Sequence, residues 1–256
     1  MSHPHDNWAK YYDFVYEQTF GSLYNTLTTY TLNVINQILP TGTILDFGAG
    51  TGRLTIPLLE KGYHVIAVEK SSGMIEELLR KAKEKNLQPN IHCCSISEYE
   101  DGKADMALAL FTVLSYSITE DELSKNIHNI CRHINPSGYF FFDLPNTVFF
   151  NLGQLINIET SHFRRTVELI SPNKDNIYTY REKCSGIFNG QKFCYEDEFQ
   201  IRYWELSTLD KLLTQNSFFE DTSKSFSEFS STGSTYKLYK KNEAISDNIS
   251  RRASDY

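Results

Sequence analysis

A carboxylate and three glycines, in the order Asp46-Phe47-Gly48-Ala49-Gly50-Thr51-Gly52, follow the apolar pair Ile44-Leu45 and form the chemically most informative stretch of the chain. Glycines at a strand-to-helix turn permit positive φ and close approach of a ligand, and the first turn of the next helix offers N–H groups without intrahelical partners. The chemistry this predicts is recognition of a small polar molecule by backbone and carboxylate. A dinucleotide fingerprint, Gly-x-Gly-x-x-Gly, that began at Gly48 would need its third glycine where Arg53 stands, so the nicotinamide pattern fails. A second carboxylate, Glu69, ends the apolar run Val65-Ile66-Ala67-Val68, where it can accept hydrogen bonds from both hydroxyls of a ribose. His64, His92, His128, His133 and His162 show no His-x-x-x-His pairing, so no metal site is expected, and His3 and His5 are expected to lie in a mobile terminal stretch.

Such residues need rigid elements to hold them. Ile44 to Phe47, His64 to Val68, Ile91 to Cys94, Asp105 to Leu110 and Tyr139 to Leu144 read as five short apolar strands. Helical patterns separate them, among them Ile75 to Lys85 and Glu120 to His133, which implies a parallel sheet covered on both faces. The basic run Arg80, Lys81, Lys83 and Lys85 reads as a solvated helix face. The expected fold class is α/β, a Rossmann-like doubly wound and mostly parallel sheet with its ligand at the carboxyl ends of the strands. Residues 1–40 carry Leu23, Leu27, Tyr30, Val34 and Ile38 at helical spacing after a tyrosine-rich stretch and are expected to form a helical lid. Beyond 150, Phe163 to Ile170, Ile177 to Phe188 and Phe193 to Tyr203 alternate as strands, with turns at 172–175 and at Asn189-Gly190, which predicts an antiparallel β insert. Leu206 to Leu213 then reads as helix and Tyr236 to Tyr239 as a last strand. The whole is expected to be a single domain, divided into lid (1–40), cofactor-binding core (41–149), insert or roof (150–204), end of core (205–241) and a frayed polar tail (242–256).

Together these stretches resemble the class I S-adenosylmethionine-dependent methyltransferases. Asp46 to Gly52 is similar to that family's first motif, and Glu69, Lys70, Ser71 and Met74 to its second. The resemblance implies that Asp46, Gly48, Ala49, Gly50 and Gly52 hold the methionine moiety, that Glu69 and Lys70 lie at the ribose, and that Met74 packs on adenine. Ser95 and Ile96 stand where the family commonly has Asp-Ala beside adenine, and Ala104 to Tyr116 resembles its fourth-strand motif. Trp8 to Glu17 resembles the lid of the small-molecule branch, including amino-sugar N-methyltransferases, which implies that Tyr12 and Tyr16 reach the cofactor and close the site; aromatic packing of a cap helix explains the same cluster. The basic motif that often follows those tyrosines in the amino-sugar branch is replaced by Gln18-Thr19-Phe20-Gly21.

The expected function is metal-independent transfer of a methyl group from S-adenosyl-L-methionine, leaving S-adenosyl-L-homocysteine, to an N or O atom of a small molecule. Tyr116 is the candidate for orienting the acceptor or taking its proton, with Tyr12 beside it, and packing is the competing role for Tyr116. Phe111 is a candidate face for the sulfonium charge. A non-catalytic S-adenosylmethionine-binding regulator and an NAD(P)-dependent oxidoreductase remain the alternatives. Composition constrains the partners. The chain has 256 residues, 40% of them hydrophobic, and a formal net charge of −7, which is enough for a full core and gives no long-range attraction to nucleic acid or anionic membrane. Apolar runs are too short to span a bilayer, and five cysteines without a Cys-x-x-Cys pair suit a reducing compartment, so the expected setting is cytoplasmic. The insert is expected to roof the acceptor site or to build a homodimer contact.

Overall fold

The computed structural model describes residues 3–170, 172 and 175–243. A 3-10 turn (Asp6–Tyr11) leads into helices α1 (Tyr12–Phe20) and α2 (Ser22–Ile38). Strands and helices then alternate: β1 (Thr43–Phe47), α3 (Thr55–Glu60), β2 (His64–Glu69), α4 (Ser72–Glu84), β3 (Asn90–Cys93), β4 (Ala104–Ala109), α5 (Glu120–Arg132) and β5 (Ile134–Pro145). After α6 (Thr147–Asn151) come β6 (Gln154–Glu159), β7 (Phe163–Ile170), β8 (Ile177–Phe188) and β9 (Gln191–Arg202), and the described part closes with α7 (Leu206–Gln215), β10 (Phe218–Glu220) and β11 (Ser234–Lys241).

The central sheet has the order β10-β11-β5-β4-β1-β2-β3, with β1 to β5 parallel and β11 antiparallel to β5. Residues 44–47 of β1 are all buried because both faces of the sheet are covered. Leu45, Phe47, Ile66 and Val68 pack under Leu123, Ile127 and Ile130 of α5 and Leu209 and Leu213 of α7. Ile44 and Val65 pack on the other face with Ile35 of α2 and Leu58 of α3, while Ala67 meets Leu78 and Ala82 of α4. Because β1 sits between β2 and β4, chain crossovers leave in opposite directions on its two sides, which opens a crevice at its carboxyl end.

The helices begin where capping groups stand. Ser71 accepts the N–H of Met74 at 3.2 Å, so α4 starts at Ser72, three residues before the periodicity alone suggests. Thr119 accepts the N–H of Glu122, and three acidic residues in the first turn of α5 complement the helix dipole. The basic run of α4 is only partly a solvated face: Lys81 donates to Asp13 Oδ2 at 2.6 Å and to Thr51 Oγ1 at 3.1 Å, which ties α1 to the glycine loop.

The second sheet, β6-β7-β8-β9, is antiparallel throughout. Asn189 (φ 50) and Gly190 (φ 77) make the two-residue turn between β8 and β9. Its inner face meets the N-terminal segment ring against ring: Trp8 stacks on Tyr195 with centroids 4.3 Å apart, and Tyr11 on Phe193 at 4.4 Å. The terminal stretch with His5, expected to be mobile, is therefore held in place, because this aromatic face gives the adjoining Trp8 and Ala9 a place to be buried. Asn173 and Lys174 of the expected turn lie outside the described residues, as does the expected polar tail from 244 onward.

Candidate functional site

A cavity of about 250 Å³ opens at the carboxyl edge of β1, β2 and β4, roofed by the N-terminal segment and α1. Tyr12, Tyr16, Asp46, Gly48, Ala49, Gly50, Glu69, Lys70, Met74, Ser95, Ile96, Phe111 and Tyr116 all line it. Gly52 does not. A Cβ there would come within 2.9 Å of Leu78 Cγ and 3.1 Å of Ile56, so close packing of the loop on α3 and α4 explains that glycine.

The loop is built by backbone bonds to the neighbouring strand. Gly48 N–H donates to Val68 O at 2.8 Å and Gly50 N–H to Glu69 Oε2 at 2.9 Å. The other oxygen of Glu69 accepts Ser71 N–H at 2.9 Å. One carboxylate thus fastens the glycine loop and the start of α4, with lone pairs left over for a ligand. Gly48 has φ 70, and a Cβ on it would lie 2.6 Å from Val113 Cγ2; Gly50 has φ 55 and open space where its Cβ would be. Asp46 is buried, accepts a hydrogen bond from Thr55 Oγ1 at 2.7 Å, and burial pushes its carboxyl up to about 6 despite that bond and the nearby charge of Arg53.

The opposite wall hangs on a strained turn. Phe111 (φ 74) and Thr112 (φ 68) are both left-handed, and Asp143 Oδ1 on β5 holds them by accepting their N–H groups at 2.5 and 3.1 Å. This turn aims Phe111, Val113 and Tyr116 into the cavity. Arg53 lies over the Phe111 ring, its Cζ 4.7 Å from the centroid, and over Tyr24 at 5.7 Å. At the far end, Ser95 donates its hydroxyl to Glu98, and the polar groups lining the cavity there include Ser97, Glu122 and Asn126.

The roof carries the residues that pattern reading missed. Contrary to the expectation of a mobile end, His5 is wedged against the cavity, its Nε2 2.8 Å from Tyr116 Oη and its backbone N–H donating to Asp197 Oδ2 at 2.8 Å. Trp8 Nε1 donates to the same oxygen at 2.9 Å. Asp6 Oδ1 accepts from Ser71 Oγ and Gly73 N, at 2.7 and 2.9 Å. Tyr12 and Tyr16 stack at 4.4 Å, and burial raises the phenols of Tyr12 and Tyr116 well above the ordinary tyrosine range. Arg53, Tyr24 and His5 gave no local signal: their roles depend on partners up to 192 positions away.

Glycine loop, ribose-spaced carboxylate and switch-point crevice stand together at one edge of a fold similar to that of solved S-adenosylmethionine-dependent methyltransferases. Residues 44–138 match the family model described as a methyltransferase domain. The chain is 28% identical over 140 residues to the Bacillus subtilis protein YqeM, which is named for methyltransferase activity; the match covers 51% of this chain and 56% of that protein, so it spans little more than half of the relative. Among solved structures, it is similar to an S-adenosylmethionine-dependent methyltransferase from Clostridium acetobutylicum (TM-score 0.77, 19% identity, 91% of this chain and 98% of the other). It is also similar to CalS10, an amino pentose methyltransferase from Micromonospora echinaspora, with TM-score 0.67, 13% identity, and 86% and 92% of the two chains covered. Among the described residues no cluster of His, Cys, Asp and Glu could hold a metal ion, and no helix is long and apolar enough to cross a membrane.

Proposed function

We propose that the protein is an enzyme that transfers a methyl group from S-adenosylmethionine to an N or O atom of a small molecule, without a metal ion. The observation that carries this reading is that one cavity, built between the stretch that matches a methyltransferase-domain model and the N-terminal segment, joins the glycine loop and Glu69 on one wall to a cluster of aromatic rings on the other. The residues present fit the cofactor. Glu69 offers acceptors for ribose hydroxyls, Met74 and Ile96 an apolar slot for a flat base, and Asp46 a carboxylate for an ammonium group. S-adenosylmethionine supplies an electrophilic methyl carbon on a cationic sulfur. Phe111 lines the cavity beside Tyr12 and Tyr16, and a ring face there stabilises positive charge by ~0.5–2 kcal/mol, while the N-terminal segment excludes water as the acceptor is aligned. Tyr116 and Tyr12 are the hydroxyls available to orient an acceptor.

The enclosure by the N-terminal segment favours an acceptor of metabolite size. An amino sugar is the first class to screen, because CalS10, titled an amino pentose methyltransferase, shares the fold. The test is incubation of the protein with methyl-tritiated S-adenosylmethionine and the small-molecule fraction of a cell extract. Protein-dependent label in that fraction is expected. Tight S-adenosylhomocysteine binding with no transfer to any fraction would overturn catalysis in favour of a cofactor-holding regulator.

A further inference from the structure

The wall facing the glycine loop contains a chain of three polar groups that cofactor binding does not require. Tyr116 Oη, His5 Nε2 and the carboxylate of Asp197 follow one another from the cavity outward: 2.8 Å separates the first two, and His5 Nδ1 lies 3.6 Å from Asp197 Oδ2. His5 and Tyr116 both line the cavity, while Asp197 stands behind them on β9. We propose that these residues form a proton relay in which Tyr116 meets the methyl acceptor and His5, acting through Tyr116, takes the proton released on transfer. The relay rests on the methyl-transfer reading above.

Three observations support it. First, His5 Nδ1 makes no hydrogen bond among the described residues, but the carboxylate of Asp197 3.6 Å away favours a proton there, which would leave the Nε2 lone pair to accept from Tyr116 O–H. Second, Tyr116 cannot hold the proton balance alone, because burial drives its phenol far from ionisation and the charges of Asp197, Glu69 and Glu182 push the same way. Third, the ring is uncharged at neutral pH and is a weak base, which suits the strongly acidic oxonium that methyl transfer to a hydroxyl would leave. Desolvation lowers His5 to about 4, outweighing the pull of Glu182 and Asp197, and Arg165 and Lys70 lower it further. Those four charges act on the ring through the field, and Tyr12 from α1, Tyr116 and Asp197 are the ionisable groups in contact with it. Trp8 and Phe199 hold it edge-on, with centroids 5.1 and 4.9 Å away.

The step balances. A lone pair on a hydroxyl oxygen of the acceptor forms the bond to the methyl carbon, and the carbon–sulfur bond breaks with its electron pair passing to sulfur. The proton on the acceptor moves to Tyr116 Oη as the Tyr116 proton moves to His5 Nε2. The positive charge that leaves sulfur thus reappears on an imidazolium flanked by Asp197 and Glu182.

The test combines a spectroscopic and a kinetic readout. In protein labelled with ¹⁵N-histidine, the His5 signal is identified by its loss in His5→Gln. At pH 7 it should report a neutral ring with the proton on Nδ1, and its Nε2 resonance should move in Tyr116→Phe. A charged ring, or a proton resident on Nε2, would overturn the relay. For transfer into the small-molecule extract fraction, His5→Gln and Tyr116→Phe should each lower the initial rate by roughly 100-fold. The double variant should be no slower than either, and S-adenosylhomocysteine affinity should stay within about threefold of wild type. Full-rate transfer by His5→Gln would remove the relay alone, whereas a wild-type protein that fails to bind S-adenosylhomocysteine would remove the function reading and the relay together.

Discussion

At the scale of single residues, Glu69 does two jobs with one carboxylate: it fastens Gly50 and Ser71 by their N–H groups and presents its remaining lone pairs to the cavity. Glu69→Gln keeps the size but loses the charge and one of the two acceptor oxygens, so S-adenosylhomocysteine should bind more weakly by about 1–3 kcal/mol in calorimetry and the thermal midpoint should fall as Gly50 or Ser71 loses its bond. Unchanged affinity would mean that the carboxylate is a loop fastener only. This residue was legible in the sequence because its strand and its spacing from Asp46 are local regularities. Gly52 was legible as a glycine that had to be one, but its constraint is the side chain of Leu78. His5 and Arg53 were not legible, since a histidine near a chain end and an arginine at a helix start look alike whether buried or solvated. Only the fold brings Tyr116, 111 positions away, against His5.

At the scale of elements, the antiparallel sheet and the lid are joined by a buried ion pair. Arg165 on β7 and Glu182 on β8 are both fully buried and meet through two bonds of 2.9 and 3.2 Å, and the guanidinium also donates to Thr19 of α1 and lies 4.6 Å from the Tyr16 ring centroid. Tyr195 completes the carboxylate's partners at 2.6 Å. Removing one charge strands the other in an apolar setting. Arg165→Met is therefore expected to cost about 3–5 kcal/mol in denaturant unfolding, and Arg165→Met with Glu182→Gln to recover most of it. A cost below 1 kcal/mol for the single change would show that the pair is not a structural tie. The parallel core was readable from its alternation of apolar strands and helices, and the β8–β9 hairpin from Asn189-Gly190. The three-residue β10 and the Asn-bearing β6 carried no pattern, and their pairing depends on β11 and β7.

At the scale of the whole molecule, the N-terminal segment bridges the core and the antiparallel sheet over the cavity. Asp6 grips the start of α4, Asp13 grips Thr51 and Lys81, and Asp197 grips His5 and Trp8. The docked His5 titrates at about 4 against an ordinary 6.5, so protons bind the undocked segment better. Docking is at full strength above pH 6.5, weakens as pH falls from 6.5 towards 4, and loses nothing more from this group below that. Hydrogen exchange of residues 3–20 should accordingly speed up between pH 7 and pH 5, after correction for intrinsic rates, and His5→Gln should remove that change; equal protection at both values would contradict the docked geometry. Methyl transfer and the proton relay both depend on cofactor recognition at the carboxyl edge of the sheet. Calorimetric titration of the purified protein with S-adenosylhomocysteine, run beside NADH and NADPH, tests it most directly. Saturable one-site binding of S-adenosylhomocysteine alone is the expected result, and binding of a nicotinamide with silence towards S-adenosylhomocysteine would contradict it.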